Sequence, residues 1–556
     1  MSLFGGLHVG TSGLQTSQNA LNTVAHNMVN VDTEGYTRQQ ISQVTRHYNT
    51  ISTSASAVSY QQVGLGVSFA EVKQVRDYFL DKSFRKESGR AGFYDVSCDA
   101  IEEVEKIFQE LDGATFSDSL NNLWVSVQEL SKDPSNSVNQ GVFVQRCSEF
   151  VSRAQTVYDN LCKYQDDLDY TVKQKTDKIN SLGKEIRDLN ERILKIESAQ
   201  VEHANDLRDL RNSKIDELSR MASISVNTDI DGNYIIQLEG FDFVTVGDAK
   251  EISLYEDPIT GFRYPYWKAL AEYDTNGEVI PSSLESAYIF DLKQKISSDL
   301  NTDIGELKSA LVARGDHRAT FKDLVATPLD PSDPNYATDH SDYVYSDISD
   351  SVAMNVMAEF DGLIHDVTKG INDILKQAAE KYYITDNGYA TLPTAGYMID
   401  SVTGEPYKMF LLSQDTDGYT VSNLSINETL VQSPSLLGFI RPDGIADQVC
   451  ADNLKNLFSE ETHLLNPEVK TRTNLANYYN SLISQVSNTG YIMRGISDNQ
   501  EVTVNNLSSA REEILGVSSD EELSNMIMFQ NAYNASSRYI NVVSELLEHI
   551  ISTLGT

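Results

Sequence analysis

Both ends of this 556-residue chain carry a seven-residue repeat of apolar or small side chains in two registers that lie three residues apart. The positions in the first 31 residues are Leu7, Leu14, Leu21 and Met28, with Gly10, Ser17, Val24 and Val31. Those in the last 31 are Met526, Tyr533, Ile540, Leu547 and Leu554, with Phe529, Ser536, Val543 and Ile550. Because such a seam has nothing to pack on within its own helix, we expect the terminal helices to pair as an antiparallel or parallel coiled coil.

The N-terminal repeat is unusual because Met1 to Val31 contains no Asp, Glu, Lys or Arg. Asn, Gln, Ser and Thr flank the seam where a solvated helix normally carries charge. This composition is typical of a helix that neighbours bury on more than one side. We therefore expect contacts with other copies of the chain as well as between its two ends.

Long helices are predicted wherever proline is absent. Eleven of the twelve prolines lie between Pro258 and Pro467, so the flanking regions can form uninterrupted helices. The clearest helical period runs through Ile179, Leu182, Ile186, Leu189, Ile193 and Ile196. Further helices are predicted at 94–112, 117–131, 350–380, 470–487 and 500–513.

Other stretches have the composition of strands. Residues 34–72 are rich in Thr, Ser, Gln and Val and predict extended chain packed along a neighbour. Val226 to Leu238 predicts a hairpin that turns at Asp231-Gly232. Further strands are predicted at 241–246, 251–255, 262–267, 396–400, 407–412 and 419–426.

These elements predict a multidomain, mainly α protein with a β-rich central region. The expected order is a terminal helix pair, a long-helix bundle next to it, and a β-rich insertion farthest from the termini. The expected domains are 1–72 with 505–556, then 73–225 with 468–504, then 226–467, and a division of the last near 305–345 stays open.

Charge and composition exclude several functions. The chain has 44 basic and 81 acidic residues, a net charge of −37, which argues against binding nucleic acid or anionic membrane surfaces. The sequence has no basic leader region and no 18-residue apolar run, so we expect no cleaved signal peptide and no transmembrane helix. The four cysteines lack metal-ligand spacing and are interpreted as small apolar residues.

Catalytic motifs are also missing. No HExxH, GxGxxG, GxxxxGK or GxSxG pattern occurs, so we expect no enzyme, no cofactor and no metal. Asp415-Thr-Asp-Gly begins like a calcium loop but lacks its later ligands, and a hairpin turn is the better interpretation. The acidic cluster Asp330, Asp333, Asp339, His340 and Asp342 is interpreted as a solvated loop in preference to a cation site.

Two segments next to the terminal repeats carry a resemblance. Asn27-Met-Val-Asn-Val-Asp-Thr-Glu-Gly-Tyr-Thr-Arg-Gln resembles the signature of flagellar axial proteins, which include rod, hook and hook-associated proteins. The C-terminal block from Gly516 to Ile540 is similar to that of the first hook-associated protein family, FlgK. Met28 and Glu34 replace the usual Ala and Pro of the signature, and four cysteines are uncommon in such proteins.

The resemblance implies a function. It implies a structural protein of the extracellular flagellum that joins hook to filament after type III export. The implied partners are further copies of the chain, the hook protein, the second junction protein and flagellin side, and an export chaperone at the C-terminal helix. The implied assembly interface comprises the apolar seam residues (Leu7, Leu14, Leu21, Val24, Met28, Val31, Met526, Phe529, Tyr533, Ile540, Val543, Leu547, Ile550 and Leu554) and the signature residues Asn27, Asn30, Gly35 and Tyr36. A hook or rod protein, or a secreted adhesin, stays open as an alternative.

Overall fold

The computed structural model describes the chain except for residues 1–2, 34, 47–48, 54–59, 109–114, 199–202, 230–231, 330, 333–340, 386–387, 390–404, 414–417, 438, 442 and 555–556. The protein is mostly helical, and its sheets are small. The sequence prediction of a mainly α chain is therefore confirmed at this level.

Long helices dominate both ends of the sequence. The helices are α1 (Leu3–Val29), α2 (Tyr78–Phe108), α3 (Phe116–Lys132), α4 (Ser137–Glu197), α5 (Asn205–Met221), α6 (Glu306–Arg314), α7 (Tyr345–Ile348), α8 (Val352–Tyr383), α9 (Glu428–Gln432), α10 (Gln448–Ser459), α11 (Leu475–Leu515) and α12 (Ser519–Leu554). Short 3-10 turns cover Pro281–Ser286, Phe321–Asp323 and Pro434–Leu437.

The strands pair antiparallel in sheets of two or three. They are β1 (Gln39–Thr45), β2 (Asn49–Thr53), β3 (Tyr60–Val63), β4 (Val67–Gln74), β5 (Ile224–Thr228), β6 (Tyr234–Leu238), β7 (Phe241–Val244), β8 (Ile252–Glu256), β9 (Arg263–Trp267), β10 (Ile384–Thr385), β11 (Gly388–Tyr389), β12 (Phe410–Leu412) and β13 (Leu424–Ile426). The largest described sheet has the order β5-β6-β7. In the β5–β6 hairpin Ile224 lies opposite Leu238, and Gly232 has φ +81°.

The chain divides into two compact units. Unit 1 comprises residues 1–89, 178–251 and 500–556, and unit 2 comprises 90–177 and 252–499. The three-part division expected from the sequence is a different partition and stays a prediction.

Unit 1 contains the terminal helices, strands β1 to β7 and the end of α4. The heptad positions Ile179, Leu182 and Ile186 are buried. A methyl group added at Gly183 would come within 2.4 Å of the Phe243 ring. Glycine is therefore needed here because α4 and β7 approach so closely.

Unit 2 is built on an extended apolar core. Its centre is an aromatic cluster in which the Phe116 ring lies 4.9 Å from both Phe360 and Tyr479. Trp124 stacks on Phe458 at 5.6 Å. Helix α8 contributes to this core along most of its length because its apolar positions repeat at helical spacing.

Two carboxyl groups of α8 lie inside unit 2. Glu359 accepts hydrogen bonds from Asn466 (2.6 Å) and Gln485 (2.8 Å). Asp361 accepts from the backbone N–H groups of Phe321 (2.9 Å) and Val421 (2.7 Å). Burial raises the pKa of each carboxyl to about 7, because the interior disfavours the ionised form.

Helix α2 begins at Tyr78, well before the predicted 94–112, and α11 also differs from the sequence prediction. Residues 470–487 and 500–513 were expected to form separate helices, but α11 is continuous from Leu475 to Leu515. Gly490, which lies between the two predicted segments, packs against α2. A methyl group there would lie 2.8 Å from Glu105 Oε1 and 2.9 Å from Ile101. Residues 396–400, predicted as a strand, lie outside the described residues.

Candidate assembly interface

Three glycines of α1 face α12. A methyl group added at Gly10 would lie 2.6 Å from Ile540 Cγ1, and one at Gly13 would lie 2.8 Å from Ser536 Oγ. Gly6 faces Tyr539, 3.1 Å from its hydroxyl oxygen. As the residue number rises along α1 it falls along α12, so the two helices run in opposite directions. The small residues of the first repeat permit their close approach.

Asn27 connects three segments of unit 1 at the end of α1. Its Nδ2 donates to the Gln39 carbonyl (2.8 Å) and to Glu522 Oε2 (3.2 Å). Its Oδ1 accepts from the Tyr36 hydroxyl (2.8 Å) and the Gln39 N–H (3.0 Å). Only 1% of Asn27 is exposed. An amide is suited to this position because it presents two donors and an acceptor at once.

Glu522, which is buried, and Arg38, which is half-buried, form an ion pair next to Asn27. Arg38 Nε lies 2.9 Å from Glu522 Oε1, and its second guanidinium nitrogen lies 2.8 Å from Glu521. The Arg38 backbone N–H also donates to the Leu515 carbonyl (2.8 Å). The two glutamates occupy the first turn of α12, where the helix dipole favours negative charge. The start of α12 is therefore held to the start of β1.

The signature residues after α1 are fixed by α5. The Thr37 N–H (3.1 Å) and hydroxyl (2.6 Å) both donate to Asp209. Burial, together with the nearby Asp209 carboxylate, raises the pKa of the Tyr36 phenol well above its usual range. Tyr36 therefore stays protonated and donates to Asn27. Gly35 is exposed and has φ +76°, which explains glycine at this turn.

The structure places the predicted interface residues as follows. Val24 and Val543 are buried, with exposures of 4% and 5%. Val31 and Ile550 are exposed. Asn30 is half-buried and donates to the His26 carbonyl at 2.9 Å. The side chain of Leu554 lies outside the described residues. The half-buried apolar positions are Leu7, Leu14, Leu21, Met28, Met526, Phe529, Tyr533, Ile540 and Leu547.

Helix α12 also carries apolar side chains that the repeat did not indicate. They are the exposed residues Leu523, Ile527, Met528, Val542 and Leu546. Tyr539 is also 42% exposed, but it contacts Gly6 and Gly10 of α1. The i+4 spacing of Leu523 to Ile527 and of Val542 to Leu546 could have revealed most of them. We name these five residues the outer face of α12.

The polar residues Arg38, Asp209 and Glu522 were also not predicted. A buried charge carries no mark in the sequence because its partner is remote along the chain. Here Arg38 and Glu522 are 484 residues apart.

The described residues hold no group of three His, Cys, Asp or Glu side chains that could bind a metal. Within the weak candidate clusters, Asp330, Asp333, Asp339, His340 and Asp415 lie outside the described residues. The described cysteines are Cys98, Cys147, Cys162 and Cys450, all free thiols. No described helix is long and apolar enough to cross a bilayer.

Family models match three segments of the chain. The helical domain of flagellar hook-associated protein FlgK matches residues 101–313. The C-terminal model of the flagellar basal body rod FlgEFG proteins matches 509–553, and the flagella basal body rod protein model matches 7–37. The two rod models therefore cover the segments that contain most of α1 and α12.

Full-length relatives are similar to the chain. Flagellar hook-associated protein 1 of Bacillus subtilis is 25% identical, covering 100% of this chain and 99% of its own. The protein of that name from Salmonella typhimurium is 21% identical, covering 97% and 98%. The solved structure of the flagellar hook junction protein FlgK from Burkholderia pseudomallei shares the fold, with a TM-score of 0.51 and 11% identity over 79% of this chain and 100% of that chain.

Proposed function

The chain belongs to the family of flagellar hook-associated protein 1, and on that premise we propose that its terminal helices build the junction between hook and filament. It is a structural component of the extracellular flagellum. In this proposal the protein acts by self-association and not as an enzyme. Its assembly interface comprises the apolar and signature residues predicted from the sequence, together with the outer face of α12.

The outer face of α12 is the observation that carries the proposal. Ile527 and Val542 are each 53% exposed on a helix whose opposite side already packs on α1. Several large apolar side chains exposed on one helix are a feature of interaction surfaces. We propose that α1 and α12 form an antiparallel coiled coil, and that neighbouring copies cover its outer face. Each apolar side chain that becomes fully buried would contribute roughly 1.5–3 kcal/mol.

The remaining partners follow from the position of the junction. We propose that one side of the assembled zone contacts the hook protein. The other side contacts the second junction protein, on the side of the flagellin filament. An export chaperone would cover α12 before type III export, because its exposed apolar residues need shielding from water. We also retain the three-part division into 1–72 with 505–556, 73–225 with 468–504, and 226–467.

The terminal helices are proposed to be disordered in the free monomer and to order on assembly. Gly5, Gly6, Gly10 and Gly13 each weaken α1 by roughly 1 kcal/mol relative to alanine, and an isolated helix is marginal in water. Hydrogen exchange on the monomer tests this. Fast exchange of the amides from Leu14 to Met28 is expected, and strong protection there would contradict it.

Deletion of the gene in flagellated cells tests the function. Cells without the protein are expected to build hooks and to release unassembled filament subunits into the medium. Re-expression of the full chain should restore filaments. Re-expression with Leu21→Asp or Ile540→Asp should not, because a carboxylate would enter the helix pair. Normal filaments with either variant would overturn the assembly role of the terminal helices.

A rod or hook protein is the second candidate, favoured by the rod-protein models that match both ends of the chain. The match of residues 101–313 to the hook-associated helical domain favours the junction. The same deletion distinguishes the two, because cells that lack hooks would indicate a rod or hook protein. Deleted cells with intact, motile filaments would instead indicate a secreted surface adhesin.

A further inference from the structure

Arg538 is the one charged residue in a long central stretch of α12. Between Leu523 and Ser544 this helix contains no Asp, Glu or Lys and no second Arg. Helix α1, which packs against it, contains no Asp, Glu, Lys or Arg. The helix pair therefore presents an almost uncharged surface along this stretch, and Arg538 is the exception.

Arg538 belongs to the outer side of α12. Its side chain is exposed, and Val542 of the outer face follows one turn later on the same side. Ile527, another residue of that face, precedes it by eleven residues, which is close to three turns. Ser536 and Ile540 lie toward α1 instead. The guanidinium group therefore lies among the apolar side chains that neighbouring copies are proposed to cover.

Arg538 forms neither a hydrogen bond nor an ion pair within the described part of the chain. No Asp or Glu lies within one turn of it along α12. The nearest in sequence, Glu545, is seven residues away, or about 10.5 Å along the helix axis. While it is exposed, the guanidinium group is hydrated. A neighbour that covers it removes this hydration, which is costly unless an acceptor replaces the water.

Two carboxylates on the same side of α12 can supply that acceptor from a neighbouring copy. Asp520 precedes Arg538 by 18 residues, which is five turns, and Glu545 follows it by seven, which is about two turns. Both are exposed, and neither side chain forms an ion pair with a described residue. The outer side of α12 therefore carries a cation between two anions, so that one copy complements another in charge.

The direction of the copies determines how these charges can meet. Neighbouring copies in the proposed junction point the same way, because one side of the zone contacts the hook protein and the other faces the filament. Their α12 helices then run parallel. An axial shift of about 10.5 Å between two copies brings Arg538 of one level with Glu545 of the next, and a shift of about 27 Å brings it level with Asp520. A single polar group within an apolar seam fixes register, since other registers leave it buried without a partner.

We propose that Arg538 sets the axial register between neighbouring copies by pairing with a carboxylate on the adjacent copy's α12, either Glu545 or Asp520. This inference rests on the proposed function, because it requires that copies cover the outer face. The apolar residues of that face supply the attraction, and Arg538 selects the position.

Incorporation into hook–filament junctions tests the proposal. The junctions are purified from deletion cells that re-express a variant, and the protein is quantified by immunoblot. Arg538→Glu should lower incorporation at least about tenfold, because like charges then meet in a covered site. Arg538→Lys keeps the charge but not the planar fork of donors, and should lose at most about threefold. Arg192→Glu, the same exchange at an exposed site on α4, is the matched control and should incorporate as the parent does.

Exchange of charges identifies the partner. Arg538→Glu combined with Glu545→Arg should restore incorporation to within about threefold of the parent if the shorter shift is correct. The combination with Asp520→Arg should restore it if the longer shift is correct. Recovery in either double variant supports the proposal and assigns the register. Recovery in neither would overturn it, which is the result expected if Arg538 instead faces the hook protein or the second junction protein.

The Leu21→Asp variant separates this inference from the proposed function. Normal incorporation of Arg538→Glu, together with loss of Leu21→Asp, would overturn the register role and leave the assembly role of the terminal helices intact. Normal incorporation of both variants would overturn the assembly role itself.

Discussion

The core of unit 2 and the terminal helix pair of unit 1 are both apolar, but they are covered to different degrees. Phe116, Phe360 and Phe458 in unit 2 are fully buried within the chain. On α12, Ile527 and Leu546 are each about half exposed, at 53% and 50%. Buried polar residues occur in both regions, because Asn27 and Glu522 beside the helix pair are each 1% exposed and Glu359 and Asp361 in unit 2 are fully buried.

This difference separates two kinds of stability. An enclosed core supplies its own hydrophobic free energy, which is proportional to the area removed from water. The helix pair instead has a specific polar network at one end and apolar surface that the single chain leaves uncovered. Unit 2 should therefore be stable alone, whereas the helix pair should depend on neighbouring copies.

The largest expected effect is in the enclosed core. Phe360→Ala should lower the free energy of unfolding of unit 2 by about 3–5 kcal/mol, since it removes a ring and leaves a cavity. Both tryptophans of the chain, Trp124 and Trp267, lie in unit 2, so urea unfolding followed by fluorescence reports this unit selectively. Lys376→Ala, exposed on the same helix, should change the value by less than about 0.5 kcal/mol. A loss below about 1 kcal/mol for Phe360→Ala would contradict the contrast.

The next effect concerns the polar network. Asn27→Leu should destabilise the helix pair by about 2–4 kcal/mol, because Tyr36, Gln39 and Glu522 each lose a buried partner. Incorporation into purified hook–filament junctions should fall at least about tenfold, measured by quantitative immunoblot. The urea midpoint from tryptophan fluorescence should not move.

Asn456→Leu is the matched control, because Asn456 is exposed on α10 and is not among the proposed interface residues. It should reduce incorporation by less than about threefold. Equal losses for the two variants would refute a special role for the buried amide.

The third effect depends on pH and concerns unit 2. Unfolded Glu359 releases its proton near its ordinary pKa of 4.5, whereas the folded carboxyl holds it until about pH 7. The stability from this difference is complete below pH 4.5, falls as the pH rises to about 7, and is absent above it. Glu359→Gln should therefore raise the free energy of unfolding by about 2 kcal/mol at pH 8 and flatten its pH dependence.

Asp361 provides a test with the opposite sign. Both of its oxygens accept hydrogen bonds from backbone N–H groups. Asp361→Asn would therefore place an amide NH₂ group, which is a donor, against one of these N–H donors. That variant should lose about 1–3 kcal/mol at pH 8 although burial raises both pKa values alike. Fluorescence-detected urea titrations at pH 5 and pH 8 measure both changes. Stabilisation by Asp361→Asn would show that burial outweighs the hydrogen bonds.

The smallest effect is in the helix contact. Gly10→Ala gains about 1 kcal/mol of helix propensity but forces a methyl group against Ile540, at a cost of about 1–3 kcal/mol. Gly5→Ala meets no atom within 4 Å and keeps the gain. Thermal dissociation of isolated junctions should therefore shift downward for Gly10→Ala and upward for Gly5→Ala. If the dissociation temperature shifted in the same direction for both variants, the contact at Gly10 would not limit how closely α1 and α12 approach.

Sequence periodicity predicted the long helices well because each depends on local spacing. The run from Ile179 to Ile193 is buried as expected, and the hairpin of β5 and β6 forms where it was predicted. The continuity of α11 across 488–499 was missed. The contacts of Gly490 in this stretch are with Ile101 and Glu105, which are remote in the chain and leave no local pattern.

The candidate interface was predicted only where it is repetitive. Gly10 and Ile540, which touch between α1 and α12, are both positions of the seven-residue repeat. Asn27 belongs to the signature motif. The sequence could not reveal that Asn27 binds Glu522, because long-range hydrogen bonds leave no periodicity. The outer face of α12 was missed because the seven-residue repeat marks only the stripe that packs on α1. The outer face is a second apolar stripe on the same helix.

The antiparallel pairing of α1 with α12 has a consequence for which chains can assemble. The partners in this pair are encoded at the two extremes of the sequence, so a prematurely terminated chain makes α1 but never its complement. Such a fragment could still fold the helices and sheets encoded before the stop. In the proposed assembly, it would lack the surface by which copies recognise one another. The pairing of the ends would then act as a check that admits only chains containing both helices.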